Sequence, residues 1–157
     1  MRVKIAALAL ALCAPLLNAA EWLKHERIDK MTSVTVFSAM LPSLNREDIG
    51  GPYGVVSSAI LVSKGANQGT ETAAFSIQRG IISCARSCSM LVRFDDEEPQ
   101  MIKVERTGNG QFKTVFFTDP EAFASKLRTA KRVFVRPVLY GGRSPIFEFI
   151  QGSPLSW

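Results

Sequence analysis

Residues 80–118 read GIISCARSCSMLVRFDDEEPQMIKVERTGNGQFKTVFFT, and the spacing of their side chains decides the fold class. Successive residues of a strand project to opposite faces, so Met90, Val92 and Phe94 share one face while Leu91, Arg93 and Asp95 share the other. The acidic run Asp95, Asp96, Glu97 and Glu98, with Pro99, ends that strand. Residues 101–106 read as the next strand, Thr107-Gly108-Asn109-Gly110 as a hairpin turn, and residues 112–118 as the return. Upstream, residues 80–83 also have strand character, so Cys84 and Cys88 are expected to pin the connection between two strands.

The same pattern continues outward in both directions. Residues 21–29 are short and charged around Trp22, suiting a strand or one helical turn, and residues 32–37 show the β-branched alternation of a half-buried strand. Residues 42–54, with Gly50-Gly51-Pro52-Tyr53-Gly54, form the longest irregular stretch, where a binding surface is first sought. Residues 55–63 and 72–77 resume strand character around a turn at 65–69. Downstream, one helix is expected over residues 120–131. Asp119 is a good N-cap, Pro120 suits the first helical position, and Phe123, Leu127 and Ala130 form one apolar stripe. Residues 133–140 and 144–150 flank Gly141-Gly142-Arg143 as a closing hairpin, with Pro137 placing its strand at an edge or bulge. Trp157 offers a large apolar area for docking on the body.

About nine short strands and one helix predict a mainly β fold, an antiparallel β-sandwich with the helix plugging one side or end. A single antiparallel sheet with the helix across one face is the alternative.

The amino terminus sets the compartment. Arg2 and Lys4 precede an apolar stretch at 5–17, and Ala19 and Ala20 are small residues suited to cleavage, so residues 1–20 read as a secretory signal peptide and residues 21–157 as one exported domain. The apolar stretch is about 13 residues, short of the roughly 20 that span a bilayer, so no stable membrane span is expected after its removal. Lipid attachment at Cys13 fits poorly, because bulky Leu12 stands where such sites carry a small residue. The expected location is periplasmic. Loss of Arg2 and Lys4 leaves 17 basic against 14 acidic residues, a net +3, too mild to point to nucleic acid.

Cys84 and Cys88 then remain as an even pair in an oxidising compartment, most simply a disulfide closing a five-residue loop. A redox-active dithiol is disfavoured by the three intervening residues, where thioredoxin-type motifs have two. No metal is expected, since two cysteines and the single histidine, His25, do not make a tetrahedral set, and the acidic run at 95–98 lacks the spaced ligands of a calcium loop. No serine or cysteine nucleophile has a recognisable base, no phosphate-cradling pattern occurs, and no catalytic residue or cofactor is assigned. The candidate partner-binding residues are Pro52 and Tyr53 in the glycine-rich loop, and Lys126, Arg128, Lys131 and Arg132 on the basic helix face. That face and the acidic run each offer charge to an opposite partner, or simply to solvent.

Trp22, Asp29-Lys30-Met31-Thr32, the strands reaching Cys84, Val92-Arg93-Phe94-Asp95-Asp96, Phe116-Phe117, the helix into Ala130-Lys131-Arg132, Tyr140-Gly141-Gly142, and Phe147-Glu148-Phe149 before Gly152 together resemble the type VI secretion-associated periplasmic accessory family and related exported domains of Gram-negative bacteria. Cys88 and the Gly50–Gly54 loop depart from that pattern. The resemblance implies a periplasmic, non-enzymatic β domain and supplies no catalytic residues. The expected function is therefore a protein-binding or accessory module of an envelope or secretion assembly, whose partner is another envelope or periplasmic protein. The alternative is an inhibitor or immunity protein that inserts the Pro52-Tyr53-Gly54 loop into a hydrolase or toxin.

Overall fold

The computed structural model describes residues 19–66, 71–108 and 111–157. Residues 1–18 of the segment read as a secretory signal, Cys13 among them, and the turn residues 67–69 and 109–110 lie outside the described residues. In chain order the elements are β1 (Leu23–Ile28), β2 (Thr35–Pro42), β3 (Glu47–Asp48), β4 (Val55–Val56), β5 (Ser58–Gly65), β6 (Glu71–Ile77), β7 (Ser87–Phe94), β8 (Gln100–Glu105), β9 (Thr114–Phe117), α1 (Pro120–Thr129), β10 (Arg132–Arg136) and β11 (Phe147–Ile150). Nine strands form one antiparallel sheet in the order β1-β2-β5-β6-β9-β8-β7-β10-β11, and β3 and β4 make a separate small hairpin. The fold is thus mainly β and antiparallel with one helix.

The two layers expected of a sandwich are here the two limbs of a single curled sheet. Strong twist accumulated over nine strands brings β6 opposite β11, where the Phe75 ring lies 5.9 Å from Phe147 and 6.5 Å from Phe149. All three rings are fully buried. The ends of the sheet meet at a seam: Ala20 N–H donates to Ile150 O at 2.8 Å, and Leu44 N–H to Glu148 O at 2.7 Å. Asn45 fastens the seam, accepting from Glu148 N–H and donating to Ile146 O, both at 2.8 Å.

The helix forms where the sequence places it. The Asp119 carboxylate accepts from Ala122 N–H at 3.0 Å, and Phe123, Leu127 and Ala130 all turn inward. Phe123 stacks on Phe117 with ring centroids 3.6 Å apart and planes 12° from parallel, and meets Phe94 at 5.7 Å. The helix ends at Thr129, before the expected Lys131. Ala130 adopts an extended conformation (φ −72°, ψ 141°), and the Asp95 carboxylate takes the Lys131 and Arg132 amides at 2.9 and 2.8 Å.

Two local expectations are corrected. Residues 80–83 form no strand beside β7, only an isolated bridge between Ile82 and Leu139. Their amides diverge, Ile82 donating to Phe112 O and Ser83 to Val138 O, so no continuous ladder builds on one neighbour. Gly80 starts this divergence at φ +105°, with Ile49 Cδ1 only 2.9 Å from where a Cβ would stand. The Cys84–Cys88 disulfide therefore ties an irregular entry segment to the start of β7, with Cα atoms 5.4 Å apart, instead of bridging two strands. Nor does Pro137 mark an edge: β10 lies between β7 and β11, and it stops at Arg136 because the proline has no N–H for the ladder.

Candidate functional site

The largest concavity near the glycine-rich loop is a cleft of about 620 Å³ where the end of β6, the entry to β9 and the β3–β4 turn converge. It is lined by Tyr53, Ser76, Arg79, Gly80, Ile81, Gln111, Phe112, Lys113 and Thr114. Pairing of β6 with β9 sets Ser76 opposite Thr114, and their hydroxyls share a hydrogen bond at 2.9 Å. Beyond the ladder, Ile77 N–H donates to Lys113 O at 2.9 Å and Ile82 N–H to Phe112 O at 2.8 Å, so the backbone carrying both side chains is fixed on either side. The Phe112 and Lys113 side chains remain exposed.

Three guanidinium or ammonium groups face or flank this cleft, and no carboxylate of the described residues lines it. Arg79 is braced by its own donation to Val55 O at 2.8 Å. Arg106 stacks over Phe112, its guanidinium carbon 4.6 Å from the ring centroid, and is itself tethered to the disulfide loop. Its side chain donates to Ala85 O at 3.1 Å and its amide to Arg86 O at 2.9 Å. Lys113 completes the set. Aromatic faces beside clustered cations suit a ligand that carries negative charge and presents some flat or apolar surface. The lining offers donors for carboxylates from Arg79, Lys113 and the Ser76 and Thr114 hydroxyls.

The six contact residues read from the sequence do not gather on one surface. Tyr53 lines the cleft, half-buried with its ring against the core, while Pro52 beside it is exposed. Under this loop the Arg143 guanidinium lies against Gly50, whose φ of +68° is a conformation that residues with a side chain rarely adopt. On the helix, Lys126 pairs with Glu97 at 3.0 Å, and Arg128 pairs with buried Glu71, which also accepts from the Trp157 indole at 3.1 Å. Arg132 pairs with Glu148 at 3.2 Å. Among the described residues the Lys126–Glu97 pair is the ion pair that joins the basic face to the acidic run, since Glu71 and Glu148 lie outside that run. Lys131 is exposed, with no ion pair among the described residues.

Arg79, Phe112 and Lys113 were not singled out by sequence reasoning. They are separated by more than thirty positions and brought together only by the non-local β6–β9 pairing. A local cue did exist, since an aromatic beside a lysine just past a glycine-rich turn sits where loops carry contacts. His25 lies exposed on β1. Among the described residues no group of three or more His, Cys, Asp or Glu is placed to hold a metal ion. No helix of the described residues is long and apolar enough to cross a membrane. No family model, curated protein or solved structure matches the chain.

Proposed function

We propose that the protein is an exported, non-enzymatic binding module of the bacterial envelope, which takes an acidic, extended segment of a partner protein into the Tyr53–Phe112 cleft. The observation that carries this reading is the lining itself: two aromatic rings and the cations Arg79 and Lys113, with no carboxylate among them. Charge of one sign in a concavity raises the local concentration of an opposite ligand and steers its approach. The rings supply apolar area at low conformational cost. The secretory character of residues 1–20 supports an envelope setting, and the resemblance to secretion-associated accessory domains supports a role in assembly.

Fluorescence anisotropy with labelled peptides tests the reading. An Asp/Glu-rich peptide containing an aromatic residue is expected to bind, and a Lys-rich peptide of matched length is not. Lys113→Glu and Arg79→Glu are each expected to weaken binding at least tenfold, about 1.4 kcal/mol. Added salt is expected to weaken the wild-type interaction. Equal affinity for acidic and basic peptides, or indifference to both charge reversals, would refute the assignment. Cell fractionation with intact-mass analysis checks export, the expected product beginning at Ala20 or Glu21.

A further inference from the structure

The seam leaves one strand edge open. In the β1–β2 ladder, opposed residues sum to one register, Leu23 facing Met40 and Ile28 facing Thr35. Continuing that register, Asp29 N–H donates to Val34 O at 2.8 Å, which fixes the hydrogen-bonded pairs on the odd-numbered residues of β1. The next ladder agrees: Ala66 N–H donates to Thr35 O and Ser43 N–H to Ser58 O, so β2 uses its odd residues for β5 and its even ones for β1. It follows that the amides and carbonyls of Lys24, Glu26 and Ile28 point away from β2. Ala20, of the same parity, spends its N–H and C=O on Ile150 and Gly152 at the seam. From Lys24 onward no backbone partner occupies that edge among the described residues, and every residue of β1 is exposed.

We propose that this edge pairs with β1 of a second copy of the chain, antiparallel and about a two-fold axis at His25. A two-fold axis normal to the sheet keeps each face continuous, so opposed residues have the same parity. The outward-facing even residues must pair with one another. With the axis at His25, Lys24 lies opposite Glu26 of the second copy, and Glu26 opposite its Lys24, giving two cross-strand pairs of opposite charge. Leu23 lies opposite Arg27, whose aliphatic stem covers it. Shifting the axis to Glu26 sets that carboxylate against its own copy and Lys24 against Ile28, so charge selects the first register. The charges that guard the edge against an arbitrary apolar strand thus complement a second β1. Lys24 donates to the Ser156 carbonyl and hydroxyl at 2.9 and 3.1 Å, which leaves one ammonium proton for the cross-strand pair.

The register makes a positional test possible. At a non-hydrogen-bonded antiparallel pair the Cα atoms stand about 4.5 Å apart, within disulfide range. His25→Cys is therefore expected to form a covalent dimer on mild oxidation, seen on a non-reducing gel, while Leu23→Cys, which faces Arg27, is not. Sedimentation velocity of the wild-type chain is expected to show a concentration-dependent monomer–dimer equilibrium. Glu26→Lys is expected to weaken it at least tenfold, and Lys24→Glu combined with Glu26→Lys to restore it. Because these side chains are exposed, circular dichroism should confirm that each variant is folded. A folded His25→Cys chain that stays monomeric, or dimers indifferent to the charge reversal and its rescue, would overturn the proposal. So would an edge that takes up a strand of a different protein while the chain alone stays monomeric at all concentrations.

Discussion

The Trp22 indole N–H donates to Gln151 Oε1 at 2.9 Å, joining the start of the domain to the residue that follows its last strand. The same Gln151 amide donates to Leu127 O and Ala130 O, both at 2.6 Å. One buried side chain thus satisfies an aromatic donor and two orphan carbonyls at the end of α1. Gln151→Leu fills similar volume but strands all three groups. It is expected to cost about 2–4 kcal/mol in urea unfolding at unchanged slope, with altered Trp22 fluorescence.

Arg128 and Glu71 give a second, sign-sensitive case. The Glu71 side chain is only 7% exposed, and its partners are the Arg128 guanidinium and the Trp157 indole. Arg128→Met leaves a buried carboxylate without its cation and is expected to destabilise by about 2–4 kcal/mol. Adding Glu71→Leu to that variant is expected to recover most of the loss. A thermal-unfolding double-mutant cycle reads the coupling.

Phe123 lies between two rings, stacked on Phe117 and tilted against Phe94. Phe123→Ala is expected to cost about 3–5 kcal/mol, because a rigid sheet on one side and a helix on the other cannot close the cavity. Phe123→Leu is expected to cost less than half as much. Chemical denaturation of both variants checks the ratio.

Reducing the Cys84–Cys88 bond is expected to lower stability by about 2 kcal/mol, the loop-closure value for five residues. The larger effect falls on the cleft, since Arg106 is held by carbonyls of Ala85 and Arg86 inside that loop. Backbone amide exchange at Phe112 and Lys113 is expected to accelerate in the Cys84→Ser, Cys88→Ser variant.

Asp29 supplies a pH-dependent hairpin. Its carboxylate accepts the Met31 amide at 2.8 Å and the Thr32 amide at 3.1 Å, and these bonds hold it below the usual carboxylate range. A depressed folded-state pKa gives support that is present above the unfolded value and lost as pH falls through the folded one. Amide protection at Met31 and Thr32 is therefore expected to fall with acidification, and Asp29→Asn to remove that dependence, both readable by NMR.

Much of this architecture was legible because the relevant physics is local. The Asp119 cap, the Phe123–Leu127–Ala130 stripe and the inward set Met90, Val92 and Phe94 all occur as their spacing implies. The placement of β9 between β6 and β8 was not legible, since that pairing joins Ala74 to Phe116 and depends on curl across the whole sheet. For the same reason the cleft could not be assembled from Tyr53 alone. β1 was half-legible: LKHERI has little apolar alternation because it has no buried face to encode. The basic residues Lys126, Arg128 and Arg132 misled in another way, for sequence shows their charge but not that Glu97, Glu71 and Glu148 neutralise it.

The seam at Ala20 and Ile150 also orders events in time. A chain that appears progressively from its amino terminus has Ala20, the first of the described residues to pair, waiting until nearly the last strand arrives, and the Trp22–Gln151 bond spans 129 positions. Local hairpins can form early, but the final closure is a late, long-range step of the kind that slows folding. Nascent chains stopped before β11 are therefore expected to stay open and protease-sensitive. For the export proposed above, that delay is an advantage, because nothing locks shut before the whole chain has passed through a narrow pore.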